Sequence, residues 1–200
     1  MQWGQDIVRY YIEGFLTEHA VDVKGRVLEI EDNSYTLRFG GDKVTHGDVL
    51  HVQPGYPKAT IIADLTCADH IPSDTFDCLV LTQTFQVIYD VRAVVRTLYR
   101  ILKPGGIVLA TTSGITKISL SSMQKWGDYW RLTSLCARRL FTEVFPEQCV
   151  QVYKYGNVLT ATAFLQGMIT KEFTREELDF HDPDYEVIVA VRATKPASLA

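Results

Sequence analysis

The chain has 200 residues, 46% of them hydrophobic and 22% charged. That is enough for one domain with a real core, and it excludes a disordered, collagen-like or disulfide-dense protein. Twenty Lys and Arg against 24 Asp and Glu give a formal charge of -4, so the chain lacks the basic excess of a nucleic-acid binder and no nucleic-acid partner is expected. Cys67, Cys78, Cys136 and Cys149 form no CxxC pair and have no His at zinc-finger spacing, so no metal is expected.

The start, Met1-Gln2-Trp3-Gly4-Gln5-Asp6, has neither the basic nor the apolar region of a secretory signal. No apolar run approaches the roughly 20 residues of a membrane helix. The expectation is a cytoplasmic protein with reduced thiols and no membrane partner, built as a single domain over residues 1–200: a leading helix in 1–22 and a sheet domain in 23–200.

Over residues 5–20, Ile7, Val8, Tyr11, Ile12, Phe15 and Leu16 recur at helical spacing, which predicts a helix with one apolar face, serving as a lid or flank. Val27-Leu28-Glu29-Ile30 reads as the first strand. Further strands are expected at 48–52, 60–64, 78–82 and 107–112, each rich in Val, Ile, Leu or Thr and bounded by turn residues. Their near-continuous apolar runs suit a parallel sheet covered on both faces.

Residues 76–112 form the clearest unit. Asp90 caps a helix whose stripe is Val91, Val94, Val95, Leu98, Ile101 and Leu102, with Arg92, Arg96 and Arg100 on the other, solvated side. Pro104-Gly105-Gly106 ends it and turns the chain into the next strand. Strand, helix and strand in about 35 residues make a right-handed βαβ unit.

Residues 113–122 read as a loop at the carboxyl end of a strand, where open α/β sheets bind ligands. Thr133-Ser134 starts a helix over 135–145. Closing strands are expected at 149–155 and 186–193, separated by 158–167 and an acidic stretch over 175–185. In that stretch Asp179, Asp182 and Asp184 suit a solvated turn around Pro183.

Three stretches carry a family resemblance: Val27-Leu28-Glu29-Ile30, Ile71-Pro72-Ser73-Asp74-Thr75-Phe76-Asp77 and Tyr99-Arg100-Ile101-Leu102-Lys103-Pro104-Gly105-Gly106. With them the chain resembles the class I S-adenosylmethionine-dependent methyltransferases of the type 11 kind. The resemblance implies an α/β, Rossmann-like fold, with a mostly parallel central sheet, helices on both faces and S-adenosylmethionine as cofactor. It places cofactor contacts at Glu29 in strand one, at Asp32 and Asn33 after it and at Gln53 after strand two. Asp64 and the Leu65 amide after strand three, and Thr82 and Gln83 after strand four, complete that set.

The chain departs from the family in three respects. Glu31 and Asn33 stand where glycines are expected, and the turn 31–35 also reads as a capping turn of Asp, Asn and Ser. Gln53 stands where a ribose-binding acid belongs. The connections 31–47 and 53–59 leave room for a short helix broken at Gly40-Gly41 and for none at all, so the cofactor half is trimmed.

None of His19, His46, His51, His70 and His181 matches a family base. Gln86 sits where many relatives carry a His, and Asp128, between Trp126 and Trp130, is the candidate general base. Trp126, Tyr129 and Trp130 suit stacking on a sugar face. The function expected is methyl transfer to a small polar acceptor, such as a sugar hydroxyl in glycan or natural-product synthesis. The alternative is a methyltransferase-like interaction or scaffolding module without activity. A dinucleotide enzyme is disfavoured because no GxGxxG follows strand one.

Overall fold

A computed structural model describes residues 5–197; the outermost parts of the expected 1–200 domain lie outside the described residues. Seven strands form one sheet: β1 (Gly25–Ile30), β2 (Val44–His51), β3 (Ile61–Ile62), β4 (Phe76–Thr82), β5 (Leu102–Ser113), β6 (Val150–Tyr155) and β7 (Ile188–Thr194). Their order is β3-β2-β1-β4-β5-β7-β6. β1 to β5 pair in parallel, and β7 runs antiparallel between β5 and β6.

Alternation along the central strands divides their side chains between two cores. Leu79, Leu81, Val108 and Ala110 face one side, under α2 (Val91–Ile101) and α4 (Ser134–Thr142). Val27, Cys78, Val80 and Leu109 face the other, under α1 (Ile7–Glu18). Such strands, covered on both faces, need apolar residues at every position, which is why they read as unbroken hydrophobic runs.

The leading helix is core rather than lid: Ile7, Tyr11, Ile12, Phe15 and Leu16 are buried. Asp6 caps it by accepting from the Val8 amide at 2.6 Å. On α2, Asp90 accepts from the Ala93 amide at 2.9 Å, as its cap position requires. The expected solvated arginine face is divided. Arg92 pairs with Glu143 beyond α4, and the Arg100 guanidinium donates to the Ala68 carbonyl at 2.7 Å and to that of Ile71. It thereby fastens the connection between β3 and β4 to the helix.

Three short helices were not anticipated: α3 (Leu120–Lys125), α5 (Val158–Leu165) and α6 (Arg175–Asp179). The trimmed connections are as the spacing predicts. After β1 the chain makes one wide turn at Thr36–Gly40 and a tight one at Gly41–Lys43. No helix joins β2 to β3, and β3 itself is shorter than the expected 60–64 strand. Among the described residues, no helix is long and apolar enough to cross a membrane.

Candidate active site

The strand tips align in one row along the carboxyl edge. Thr82 of β4 pairs with Thr111 of β5, and His51 of β2 pairs with Ile62 of β3. Between them Glu31 lies one residue past the paired Ile30 and Leu50, its amide donating to the Leu50 carbonyl at 3.0 Å. The expected residues from four separate strand ends, Glu29 to Asn33, Gln53, Asp64 with Leu65, and Thr82 to Gln86, are therefore gathered on one edge of the sheet.

The turn after β1 keeps a glycine-like backbone without the glycine. Glu31 has φ 72°, a left-handed conformation that a side-chain-bearing residue adopts at a cost of about 1–2 kcal/mol. Its side chain is exposed. Glu29 is buried, and its carboxylate accepts from the Thr36 amide at 2.7 Å and the Tyr35 amide at 3.1 Å. Burial raises its pKa despite those bonds. Glu29 thus shapes the turn from beneath, and this engagement runs against a direct contact with the cofactor.

Asp32 accepts from both the amide and the hydroxyl of Ser34, at 2.9 and 2.7 Å. The Ser34 amide bond, with help from Lys58 at 3.7 Å, lowers its pKa. Asp64 makes the matching turn with Thr66, accepting from its amide and hydroxyl at 2.8 Å each. The Asp32 and Asp64 carboxylates are thus both tied into turns. The Leu65 side chain is in the core, whereas Gln53 is exposed and Asn33 makes no side-chain hydrogen bond among the described residues. Tyr35 and Phe39 pack against the α1 face of the sheet.

At the tips of β4 and β5 lies a polar relay. Gln83, left-handed at φ 53°, donates its amide to the Thr111 carbonyl at 2.9 Å. Its side-chain oxygen accepts from the Ser113 hydroxyl at 2.6 Å and from Gln86 Nε2 at 2.8 Å. That fixes the Gln86 amide with its oxygen free: Gln86 Oε1 is buried without a hydrogen-bond partner, as is Thr112 Oγ1. Buried oxygens without a partner are uncommon in a native interior, and each such atom calls for a ligand group or water as its partner.

Asp128 departs from its expected role. Its carboxylate is 3% exposed and accepts from Arg131 at 2.6 Å and from the Ser119 amide at 3.0 Å. The Arg131 bond lowers its pKa, and a carboxylate so held is a poor proton acceptor at neutral pH. It ties together the segment 114–131, which is also fastened to the Gln86 carbonyl by the Tyr129 amide at 2.7 Å. Trp130 is committed as well, its indole donating to the Ile88 carbonyl at 3.0 Å with its ring stacked on Tyr89. Tyr129 stays half exposed.

Sequence reasoning missed an aromatic group over β2. His51 stacks flat on Tyr56, with centroids 4.0 Å apart and planes 6° from parallel, and Trp126 packs edge to face with His51, centroids 5.3 Å apart. The aromatic residue types were visible, but the meeting of residues from two distant loops was not.

The residues fit an adenosyl sulfonium in kind. There are aromatic planes for a base, exposed amide and carboxylate groups for hydroxyls and an ammonium, and an unpartnered Gln86 oxygen in the relay beyond β4. Comparison with known proteins agrees. Residues 13–110 match the sequence model of a methyltransferase domain family. A curated relative, the ubiquinone/menaquinone biosynthesis C-methyltransferase UbiE of Haemophilus ducreyi, is 31% identical over 91 residues, covering 42% of this chain. The match spans only 30% of that relative's length.

Among solved structures, a SAM-dependent methyltransferase from Archaeoglobus fulgidus superposes with a TM-score of 0.61 at 10% identity, covering 94% of both chains. A putative sarcosine dimethylglycine methyltransferase from Galdieria sulphuraria gives 0.60 at 14% identity, covering 94% of this chain and 86% of its own. An N-methyltransferase from Haemonchus contortus, in complex with S-adenosylhomocysteine, gives 0.57 at 14% identity, covering 94% and 53%. Residues 13–110 therefore resemble the methyltransferase domain family, in a chain that carries the class I S-adenosylmethionine-dependent methyltransferase fold.

Proposed function

We propose that this protein is an S-adenosylmethionine-dependent methyltransferase acting on a small polar acceptor. One observation carries the reading: at the β4 tip of a methyltransferase fold, Gln86 Oε1 is buried, oriented by Gln83 and without a partner. The comparisons lend no support to the alternative of an inactive scaffold.

S-Adenosylmethionine, when bound, supplies an electrophilic methyl group on a sulfonium. The chain's own residues do the rest by positioning. Ser113 holds Gln83, Gln83 holds Gln86, and Gln86 Oε1 accepts a hydrogen bond from an acceptor N–H or O–H, turning the lone pair of that atom toward the methyl carbon. Such orientation is worth orders of magnitude in rate even without a strong base. Asn33, Gln53 and Thr82 remain the candidate cofactor contacts. Glu29, Asp32 and Asp64 position the turns that carry them, with the Leu65 amide beside Asp64. Asp128 orders the segment above. A sugar hydroxyl remains the finer proposal for the acceptor, supported by the half-exposed ring of Tyr129, whose backbone amide is fixed to the Gln86 carbonyl.

The test is calorimetric titration of the purified chain with S-adenosylhomocysteine, followed by tritium transfer from labelled cofactor to a panel of hydroxyl- and amine-bearing small molecules. Binding in the micromolar range is expected, and Gln86→Leu should preserve it while cutting transfer about tenfold to a hundredfold. Absence of heat at millimolar ligand would end the proposal.

A further inference from the structure

We propose that the segment 114–131 is a strap across the carboxyl edge of the sheet, and that Trp126 and Tyr56, backed by the buried His51, form the wall against which the adenine ring stacks. The inference rests on the proposed methyltransferase reading and goes beyond it. It assigns the adenine platform to loop aromatics beside the β2 tip, none of them among the expected cofactor contacts, and makes the strap part of the cofactor site.

The path of the strap is the first observation. It leaves the sheet at Ser113 on β5 and rejoins beside it, where the Leu132 amide donates to the Ser113 carbonyl at 3.0 Å. In between, Trp126 touches His51 at the tip of β2. In the order β2-β1-β4-β5 those tips are three strand spacings apart, roughly 14 Å. The strap therefore passes over the ends of β4 and β1, the route along which a cofactor of this fold lies.

The second observation is how differently the two ends are held. The part nearest β4 is fixed by Asp128 to Arg131 and Ser119, by Arg131 to the Lys117 carbonyl, and by Tyr129 to the Gln86 carbonyl. At the far end the Trp126 indole makes no side-chain hydrogen bond. It sits edge to face with His51, and the Lys125 ammonium lies over its ring, 4.4 Å from the centroid. The six-residue α3 before it buries nothing, leaving Leu120 and Met123 exposed. A fixed hinge side and a weakly held tip are what a closing element needs.

The third observation is the lean connection beneath. Between β2 and β3 there is no helix, and the turn through Pro54, Gly55 and Pro57 carries Tyr56, which stacks flat on His51. His51 Nδ1 accepts the Gln53 amide at 3.0 Å, which sets the ring's orientation. Stacking on planes of this kind suits a purine, whatever its edge pattern.

The experiment compares S-adenosylhomocysteine binding by wild type, Trp126→Ala, Trp126→Phe and Tyr56→Ala, read by calorimetry and by intrinsic tryptophan emission. Trp126→Ala is expected to raise Kd about tenfold, Tyr56→Ala to act in the same direction, and Trp126→Phe to stay within about threefold. The ligand-induced emission change of wild type should disappear in Trp126→Phe. Because Tyr56 lies on a different loop, the test does not depend on the strap folding in the alanine variant. Wild-type binding with Kd unchanged in both alanine variants would overturn this inference alone. Tighter binding by Trp126→Ala would overturn it by showing that the indole fills the groove. Failure of wild type to bind would overturn both this inference and the methyltransferase reading.

Discussion

The two halves of the sheet are built to different standards. On the side of β4, β5 and β7 the strands are long, each is covered on both faces, and the β4-to-β5 connection is a full helix with a capped start. On the side of β2 and β3 the edge strand has two residues, its Ile62 is exposed, and the connections are turns. A parallel sheet normally needs helices at both ends because its strands must be buried on both faces. Here the trimmed half is held by side chains instead: the Arg100 guanidinium on two carbonyls, Thr60 accepting the Val49 amide at 3.0 Å, and Asp48 between Arg26 at 2.7 Å and Thr60 at 2.9 Å. The lesson is that a cofactor half can shed its crossover helices if polar clamps and loop aromatics replace them.

The contrast is sharpest in stability. Leu79→Ala, in fully buried β4, should lower unfolding free energy by about 3–4 kcal/mol through lost transfer energy and a cavity that the two covering layers cannot close. Ile61→Ala, in half-buried β3, should lower it by about 1 kcal/mol or less. Urea unfolding of both variants measures the ratio. Equal losses would break the comparison, because they would make β3 as integral to the cooperative unit as β4. Amide exchange should show the same division, with β4 and β5 exchanging only on global unfolding and β3 by local opening.

The strap gives the next effect in size. Asp128→Asn keeps the shape but removes the charge that Arg131 and the Ser119 amide share, a loss of about 1.5–3 kcal/mol of local order. Since Arg131 depresses the folded-state pKa of Asp128, the wild-type contribution is complete above the unfolded carboxylate value near about 3.9. It is lost as pH falls through the lower folded value. Proteolysis of segment 114–131 should accordingly be fast at all pH values in Asp128→Asn and fast only under strong acid in wild type. If Asp128 were the general base, the variant would lose turnover while the segment stayed protected.

How much of this was legible in the sequence follows the same division. The unit 76–112 could be read because its signals are local and agree: a cap at Asp90, a stripe at helical spacing, and a Pro-Gly stop. Helix α5 was hidden by an inverted pattern, burying Thr160, Ala161 and Ala163 while exposing Val158, Leu159 and Leu165. Small residues there allow close approach to α1, and apolar periodicity points the wrong way. Its capping box, Asn157 with Thr160, and that of α6, Thr174 with Glu177, were the signals that could have found both helices. At the site, the residues on strand ends were placed by their strands. The engagement of Asp128 with Arg131 and the meeting of Trp126 with His51 depend on how a long loop crosses the edge, which no local pattern encodes.

The smallest expected effect bears on the turn after β1. Glu31 holds φ 72°, so replacing it with glycine relieves a backbone cost of about 1–2 kcal/mol. The same change loosens the unfolded chain and gives back about 0.4–1 kcal/mol. Glu31→Gly should therefore stabilise the protein slightly, by about 0.5 kcal/mol, a shift in urea midpoint with no change in slope. Its side chain is exposed at the row of strand tips, so removing it also lets a ligand approach the backbone more closely, and S-adenosylhomocysteine should bind the variant more tightly than wild type. The two readouts separate the explanations for the glutamate. A gain in both would mean that the turn retains the family's geometry and that the side chain only obstructs it. A gain in stability with weaker binding would instead make the Glu31 carboxylate itself a contact for the cofactor's ammonium group, and the trimmed half would then hold its ligand with a side chain where glycine normally allows backbone contact.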